Sequence, residues 1–386
     1  MQAYMEKVLK YTRRRGTILV LLALLVVCLL GFTALAVDLG MIATAQAQLK
    51  TVTDAAALAG ARQLASDRRV SSVPIYPDIE IAAAINKAIS TGNANSVLAQ
   101  AAALTSTNIV VGYINTSPAN PSVPIDQNPS NNNYNSVQVT ASITVPAFFA
   151  SIFRSTGSTV TVSSTATVGL YAIGYTTSIL PITMDTTAYG LMIGTLAGGG
   201  DKYSFTAANY NPPASNGVSL GADKSLESVA YPVVAGLEGN WGTINFGVSN
   251  NSTAILGSQI RNGMTSAQMN AAGFSAGTDL PLETGSTTYK FSANPGISAG
   301  IKDDLTSIIG KPVAIPIYYN SGGKGNNAWY EIKFFAPARI VAVNMTGNDK
   351  YVIVQPASIS DLSFTPDTTH LNPWSEGGVV FVLLTR

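Results

Sequence analysis

Two scarce residue types confine the chemistry open to this chain: it has one histidine, His370, and one cysteine, Cys28. A zinc site of ordinary spacing needs several nitrogen or sulfur ligands, and a Cys/His pair needs both partners in one place. Neither can be assembled when Cys28 lies inside a long apolar run. A Ser-His-Asp triad would have to use His370 with Asp367 or Asp361 as its orienter, and no nucleophile elbow of the Gly-x-Ser-x-Gly kind is expected to present the serine. His370 therefore reads as a loop or strand-edge residue. Asp303-Asp304 follow Lys302 at the start of an expected helix, where acidic side chains favour the helix dipole. Asp201, after Gly198-Gly199-Gly200, could join loop carbonyls around Ca²⁺, but no Asp-x-Asp-x-Asp-Gly run accompanies it. The triple glycine lacks the Gly-Lys-Ser/Thr end of a phosphate loop and reads as a turn. No catalytic, cofactor-binding or metal-ligating residue is predicted, and the chain does not read as an enzyme.

The elements around these residues are dominated by one segment. Residues 17–37 hold no ionisable side chain except the weakly acidic Cys28. As a helix they would span about 31 Å, enough to cross a bilayer core. Lys7, Lys10 and Arg13 to Arg15 precede the segment and Asp38 follows it, so the positive-inside rule places the N-terminus in the cytoplasm. Ala34-Leu35-Ala36 offers a small-x-small site for signal peptidase. The apolar run is longer than the usual signal core and continues in helix formers, which favours a retained anchor. Cys28 reads as a small apolar filler.

Charged residues are 11% of the chain, far below the usual quarter. Residues 71–386 carry 13 basic and 17 acidic side chains, with no basic stripe interleaved with aromatics, so nucleic acid is not an expected partner. Beyond the span, Ile42, Leu49 and Ala56 recur every seven residues, as do Ala45, Val52 and Ala59. This seam, narrowed by alanine, predicts a helical rod from about 17 to 65. The rod could pack on a partner helix or on its own domain.

Pro74 and Pro77 break the rod, and residues 79–104 read as one or two helices interrupted near 91–93. Strands are predicted at 109–114, 137–145 and 159–168, with a long Asn/Pro/Ser loop at 115–135. Further on, strands are predicted at 179–184, 203–206, 241–246, 289–292, 313–319, 329–335, 338–343, 351–355 and 379–384, with helices near 266–272 and 297–309. The run from Ser321 to Asn327 reads as a hairpin loop, and Pro337 predicts a bend or bulge in its strand. Trp241, Tyr318, Tyr319, Trp329, Tyr330, Phe334 and Phe335 read as core, with an exposed binding face as the alternative. The predicted fold class is α+β: a basic head at 1–16, a transmembrane helix at 17–37, a helical stalk and small α+β domain at 38–172, and a predominantly β domain at 173–386.

The N-terminal block resembles the TadG-like family of the Flp, or tight-adherence, pilus assembly system. The resemblance rests on Arg14-Arg15-Gly16, Ala36-Val37-Asp38-Leu39-Gly40, Gln48-Leu49 and the eight residues from Asp54 to Ala61, with their spacing from the span. Val145-Pro146-Ala147-Phe148-Phe149, the strand at 160–166 and Gly239-Asn240-Trp241-Gly242 also look like that family. The resemblance implies a single-pass protein of the bacterial inner membrane, with the bulk of the chain periplasmic or extracellular. It implies other pilus assembly proteins and membrane lipid as partners, and pairing of copies through residues 38–65 is a further expectation. Relatives processed like pilins have Glu five residues after the cleavage-site Gly, whereas Leu21 stands there here. Relatives with a von Willebrand-type domain carry Asp-x-Ser-x-Ser, which Asp223-Lys-Ser225-Leu-Glu-Ser228 does not reproduce. A non-enzymatic assembly component is the first functional expectation; an envelope or surface adhesin binding carbohydrate or protein is the alternative.

Overall fold

The computed structural model describes residues 2–70, 77–114, 124–129, 134–149, 157–194, 227–231, 242–275, 280–281, 288–293, 299–347, 350–367 and 378–385. Its first element is one unbroken helix, α1 (Gln2–Gln63). From residue 18 to 37 its side chains are exposed, with only Ala34 partly covered. Leu19 and Phe32 reach 71% and 74% exposure, and this stretch is long and apolar enough to cross a membrane. Burial begins at Asp38 and continues through Ala45, Leu49, Val52, Ala56, Ala57 and Ala61.

Ala45, Leu49, Val52 and Ala56 belong to the predicted seam, whose Ile42 and Ala59 are half-buried, and the chain fills it with its own domain. Helix α2 (Pro77–Asn93) lies along α1, starting at a proline, whose missing N–H costs nothing in a first turn. Ala84 and Ala88 of α2 are fully buried. At Gly60 a Cβ would come within 3.1 Å of Ala84 O, Ala88 Cβ and Val137 Cγ1, so helix, helix and sheet meet at the one position without a side chain. After α2 the expected second helix is replaced by a two-rung hairpin, β1 (Ser96–Val97) and β2 (Gln100–Ala101). Leu98 and Ala99 turn at positive φ, and Gln48 Oε1 of α1 accepts from Leu98 N at 2.8 Å.

The sheet under α1 has the order β14-β5-β4-β3, all antiparallel. Its strands are β3 (Ile109–Gly112), β4 (Ser136–Val145), β5 (Ser158–Tyr171) and β14 (Val379–Leu384). Val137, Val139, Ala141, Ile143 and Val145 point at α1, while Thr140 and Ser142 pair with Ser163 and Thr161 on the outer face. That is the alternation read from sequence. Strand 379–384, which the sequence places with the second domain, is instead hydrogen-bonded to β5 over residues 166–171. Residues 173–378 therefore lie, in sequence, between two neighbouring strands of the first sheet.

The second sheet has the order β7-β10-β11-β12-β8, with β9 also on β11. Its strands are β7 (Met184–Asp185), β8 (Ser228–Tyr231), β9 (Tyr289–Ser292), β10 (Pro312–Gly322), β11 (Trp329–Asn344) and β12 (Tyr351–Pro356). A separate pair, β6 (Ile173–Thr176) and β13 (Phe364–Pro366), lies beside it. Helices α3 (Thr186–Ile193), α4 (Thr253–Asn262) and α6 (Lys302–Ser307) cover one face through Met192, Leu256, Ile260 and Leu305. The other face carries α5 (Ser266–Ala271) and a stack of Phe246, Phe274, Phe291 and Phe335. Both faces are buried, so β10 and β11 read as near-continuous apolar runs.

The predicted strands 329–335 and 338–343 are one strand, and Pro337 sits inside it without a break. Its neighbour Ala314 sends its N–H and C=O to Ser178 and Leu180 on the other side, so Pro337 faces a position that needs no donor. The register shifts fall instead at Ile317/Tyr318, Tyr318/Asn320 and Ile340/Ala342. The first leaves Lys333 unpaired, which turns Phe334 to the helix-covered face while Ile332 and Tyr330 face the aromatic stack. The hairpin between β10 and β11 is as predicted, and Gly323 at φ 75° closes it where a Cβ would fall 1.9 Å from Asn327 O.

Candidate functional site

Three polar ties hold α1 and the turn after it to the folded part. Nearest the apolar segment, the buried Asp38 carboxylate accepts from Phe148 N at 3.0 Å and from Phe149 N at 3.3 and 3.4 Å. An acid leaving the exposed face of a long helix is thereby supplied with donors, as a buried carboxylate requires. Phe148 and Phe149 themselves project outward, 58% and 46% exposed. Midway, Thr53 Oγ1 and Ser164 Oγ lie 2.6 Å apart, both fully buried, and Lys50 Nζ bridges Ser164 Oγ at 3.0 Å and Asp54 Oδ1 at 2.5 Å.

The third tie lies just past the helix, in the 3-10 turn Asp67–Val70. Asp67 Oδ1 accepts from Arg339 Nη2 at 2.7 Å, from Ser358 N at 2.7 Å and from Ser358 Oγ at 2.9 Å. Arg339, on the central strand β11, also donates to Gly310 O at 3.0 Å and is 1% exposed. A charge so buried is tolerable only with a partner this close. Arg62 Nη2 donates to Ser360 Oγ at 2.9 Å beside it. So the end of the helix is fastened to the second sheet, and β14 returns from there to the first.

The first tie joins two of the motifs that carry the resemblance, and Asp54 in the second belongs to the alanine block. The Tad family model, Flp pilus-assembly TadE/G-like, matches residues 16–63, and the Tad_C model, Tad-like Flp pilus-assembly, matches residues 40–166. Together the two matches cover residues 16–166, and that part of the chain is similar to the TadE/G-like Flp pilus-assembly proteins. No curated protein and no solved structure matches the chain. Within the matched region the Asp38 motif and the Val145 to Phe149 motif, 110 residues apart, form one contact. Ala56, Ala57, Gly60 and Ala61 of the alanine block form the crossing with α2 and β4.

Among the described residues the chemical candidates are not brought together. His370, Asp201, the triple glycine, Asp223 and Trp241 lie outside the described residues. Asp367 is buried, its N–H bonded to Ala172 O, and Asp361 caps a turn through Ser363 N at 2.8 Å. Asp303 and Asp304 do begin a helix, and Asp304 also pairs with Arg261 of α4. Among the described residues no three His, Cys, Asp or Glu side chains are grouped to hold a metal ion.

The Gly-x-Ser-x-Gly pattern does occur, around Ser219, Ser275 and Ser298. Ser275, the one within the described residues, follows helix α5 rather than a strand, so it is not an elbow. Of the aromatic candidates, Tyr318, Tyr330, Phe334 and Phe335 are buried and Tyr319 is exposed beside a bulge. Lys290 Nζ sits 3.7 Å from the Trp329 ring centroid, and the ring lies against Gly322, so its stacking surface is already taken. Burial, with the Asp185 carboxylate and Tyr330 nearby, pushes the Tyr318 phenol far above its ordinary value, which keeps it protonated.

Sequence reading missed Arg339 and Ser358 as a unit, because both lie in strand or strand-end sequence with no pattern of their own. It also missed α3 and α4. Their signals were present: Asp185 and Ser252 are N-caps accepting from Ala188 N and Ile255 N, and Gly194 and Gly263 follow the last turns.

Proposed function

We propose that this protein is a non-enzymatic, single-pass component of Flp/Tad pilus assembly in a bacterial inner membrane. Residues 18–37 are the tether, the basic head faces the cytoplasm, and the folded part stands in the periplasm or beyond. The observation that carries this is the placement of the Asp38, Phe148-Phe149 and alanine-block residues: they seat an apolar helix on a folded domain. A continuous helix through Ala34-Leu35-Ala36 supports an anchor that stays uncleaved, since cutting there would separate the apolar span from the Asp38 tie. Partners are other Tad/Flp assembly proteins and membrane lipid. The seam of residues 38–65 is occupied within the chain, so pairing of copies there would use the outer flank of Leu39, Ala43 and Ala47, which is exposed.

The test is genetic and chemical. Cells lacking this chain should lose pili and regain them with the full-length protein, whose intact mass should include the span at residues 18–37. Normal piliation without the protein would overturn the assembly role, and a mature chain starting at Val37 would overturn the anchor.

A further inference from the structure

The geometry points to a second membrane contact: Phe148 and Phe149, just after β4, dock in the interface of the same bilayer that α1 crosses. This rests on the membrane-spanning reading of residues 18–37. Singly exposed apolar side chains are ordinary on a protein surface. Here two consecutive phenylalanines are exposed, and their backbone N–H groups are held by Asp38, the residue directly after the apolar span. Their height above the membrane follows from the Thr53–Ser164 contact. From Thr53 back to Asp38 the helix descends about 22 Å. From Ser164 back to Ser158, where β5 begins opposite Val145, the strand descends about 20 Å. Phe148 and Phe149 thus lie level with the end of the span, at the depth where aromatic residues collect in membrane proteins.

Lipid is the occupant that nearness to the span favours, since Leu35 and Leu39 are exposed within one turn of Asp38, whose carboxylate holds the backbone of the exposed Phe148 and Phe149. Burying the two rings there would hold the domain at a set tilt instead of leaving it free to swing on one helix. Asp38 acts as the positioning residue, because it ties Phe148 and Phe149 to the helix.

Three single variants of the full chain, Leu25→Trp, Phe148→Trp and Tyr319→Trp, would be reconstituted in phosphatidylcholine/phosphatidylglycerol vesicles with and without brominated acyl chains. Wild-type emission is subtracted as background. The added tryptophan of Leu25→Trp and of Phe148→Trp should lose much of its emission to brominated lipid, and that of Tyr319→Trp should keep it. If Leu25→Trp is quenched while Phe148→Trp behaves like Tyr319→Trp and yields to aqueous iodide instead, the docking inference is overturned and the span survives. If Leu25→Trp is not quenched, both readings fall. Adding Asp38→Ala to Phe148→Trp should reduce its lipid quenching; unchanged quenching would remove the positioning role of Asp38.

Discussion

The two halves of α1 are one continuous helix built on opposite rules. In the lower half the large side chains Leu, Val, Ile and Phe point outward on every side; in the upper half the buried surface is mostly alanine, with Leu49 and Val52. A water-soluble helix would bury its leucines first. The lower half leaves them bare because its partner is not another part of this chain, whereas the upper half needs small residues so that α2 and the sheet can approach closely. Hydrophobicity alone thus ranks the halves in the wrong order for protein burial, and side-chain size ranks them correctly.

The contrast can be broken from the far end of the helix inward. Asp67→Ala strips the buried Arg339 of its ion-pair partner and should cost about 4 kcal/mol, read as a lower urea midpoint of the full chain in detergent. Leu49→Ala should cost about 3 kcal/mol by opening a cavity, while Leu25→Ala should leave the same midpoint unmoved. Equal effects would erase the distinction between the halves. Gly60→Ala should cost about 2 kcal/mol, because the three atoms 3.1 Å from the new Cβ belong to packed elements. Thr53→Val should cost about 1 kcal/mol by leaving Ser164 without a buried partner of the same kind.

The smallest effect separates the second sheet from the helix. Tyr318 keeps its proton in the folded state beyond the point at which the unfolded chain gives it up, near its ordinary value of 10.0. Its contribution is therefore intact below pH 10 and is lost as pH rises above it. Tyr318→Phe should flatten that decline in thermal midpoint between pH 9 and 11, and no variant confined to residues 18–37 should touch it.

Much of the fold was legible because local patterns and burial agree. Alternation in 137–145 and at the start of 159–168 marked strands with one buried face, although 164–168 are buried on both faces, and the alanine heptads marked the packed face of α1. Where a tertiary partner sets the structure, local pattern failed. The hairpin at 96–101 looks helical because its residues are helix formers, yet Gln48 holds its turn. Pro337 looks disruptive, yet Ala314 directs its hydrogen bonds elsewhere. The site followed the same division: Asp38 and Phe148-Phe149 were each visible as motifs, but nothing between them indicates that they touch.

The sequence by itself determined the apolar span, the likeness of residues 16–166 to the Tad family and the periodicities of their helices and strands, since these depend on side-chain character repeated along a line. Tertiary structure alone decided that the seam closes on its own domain, that Arg339 meets Asp67 across 272 residues, and that the last strand completes the first sheet. Those outcomes depend on which distant groups come to share a buried volume, where an unpaired charge or N–H is costly enough to select its partner.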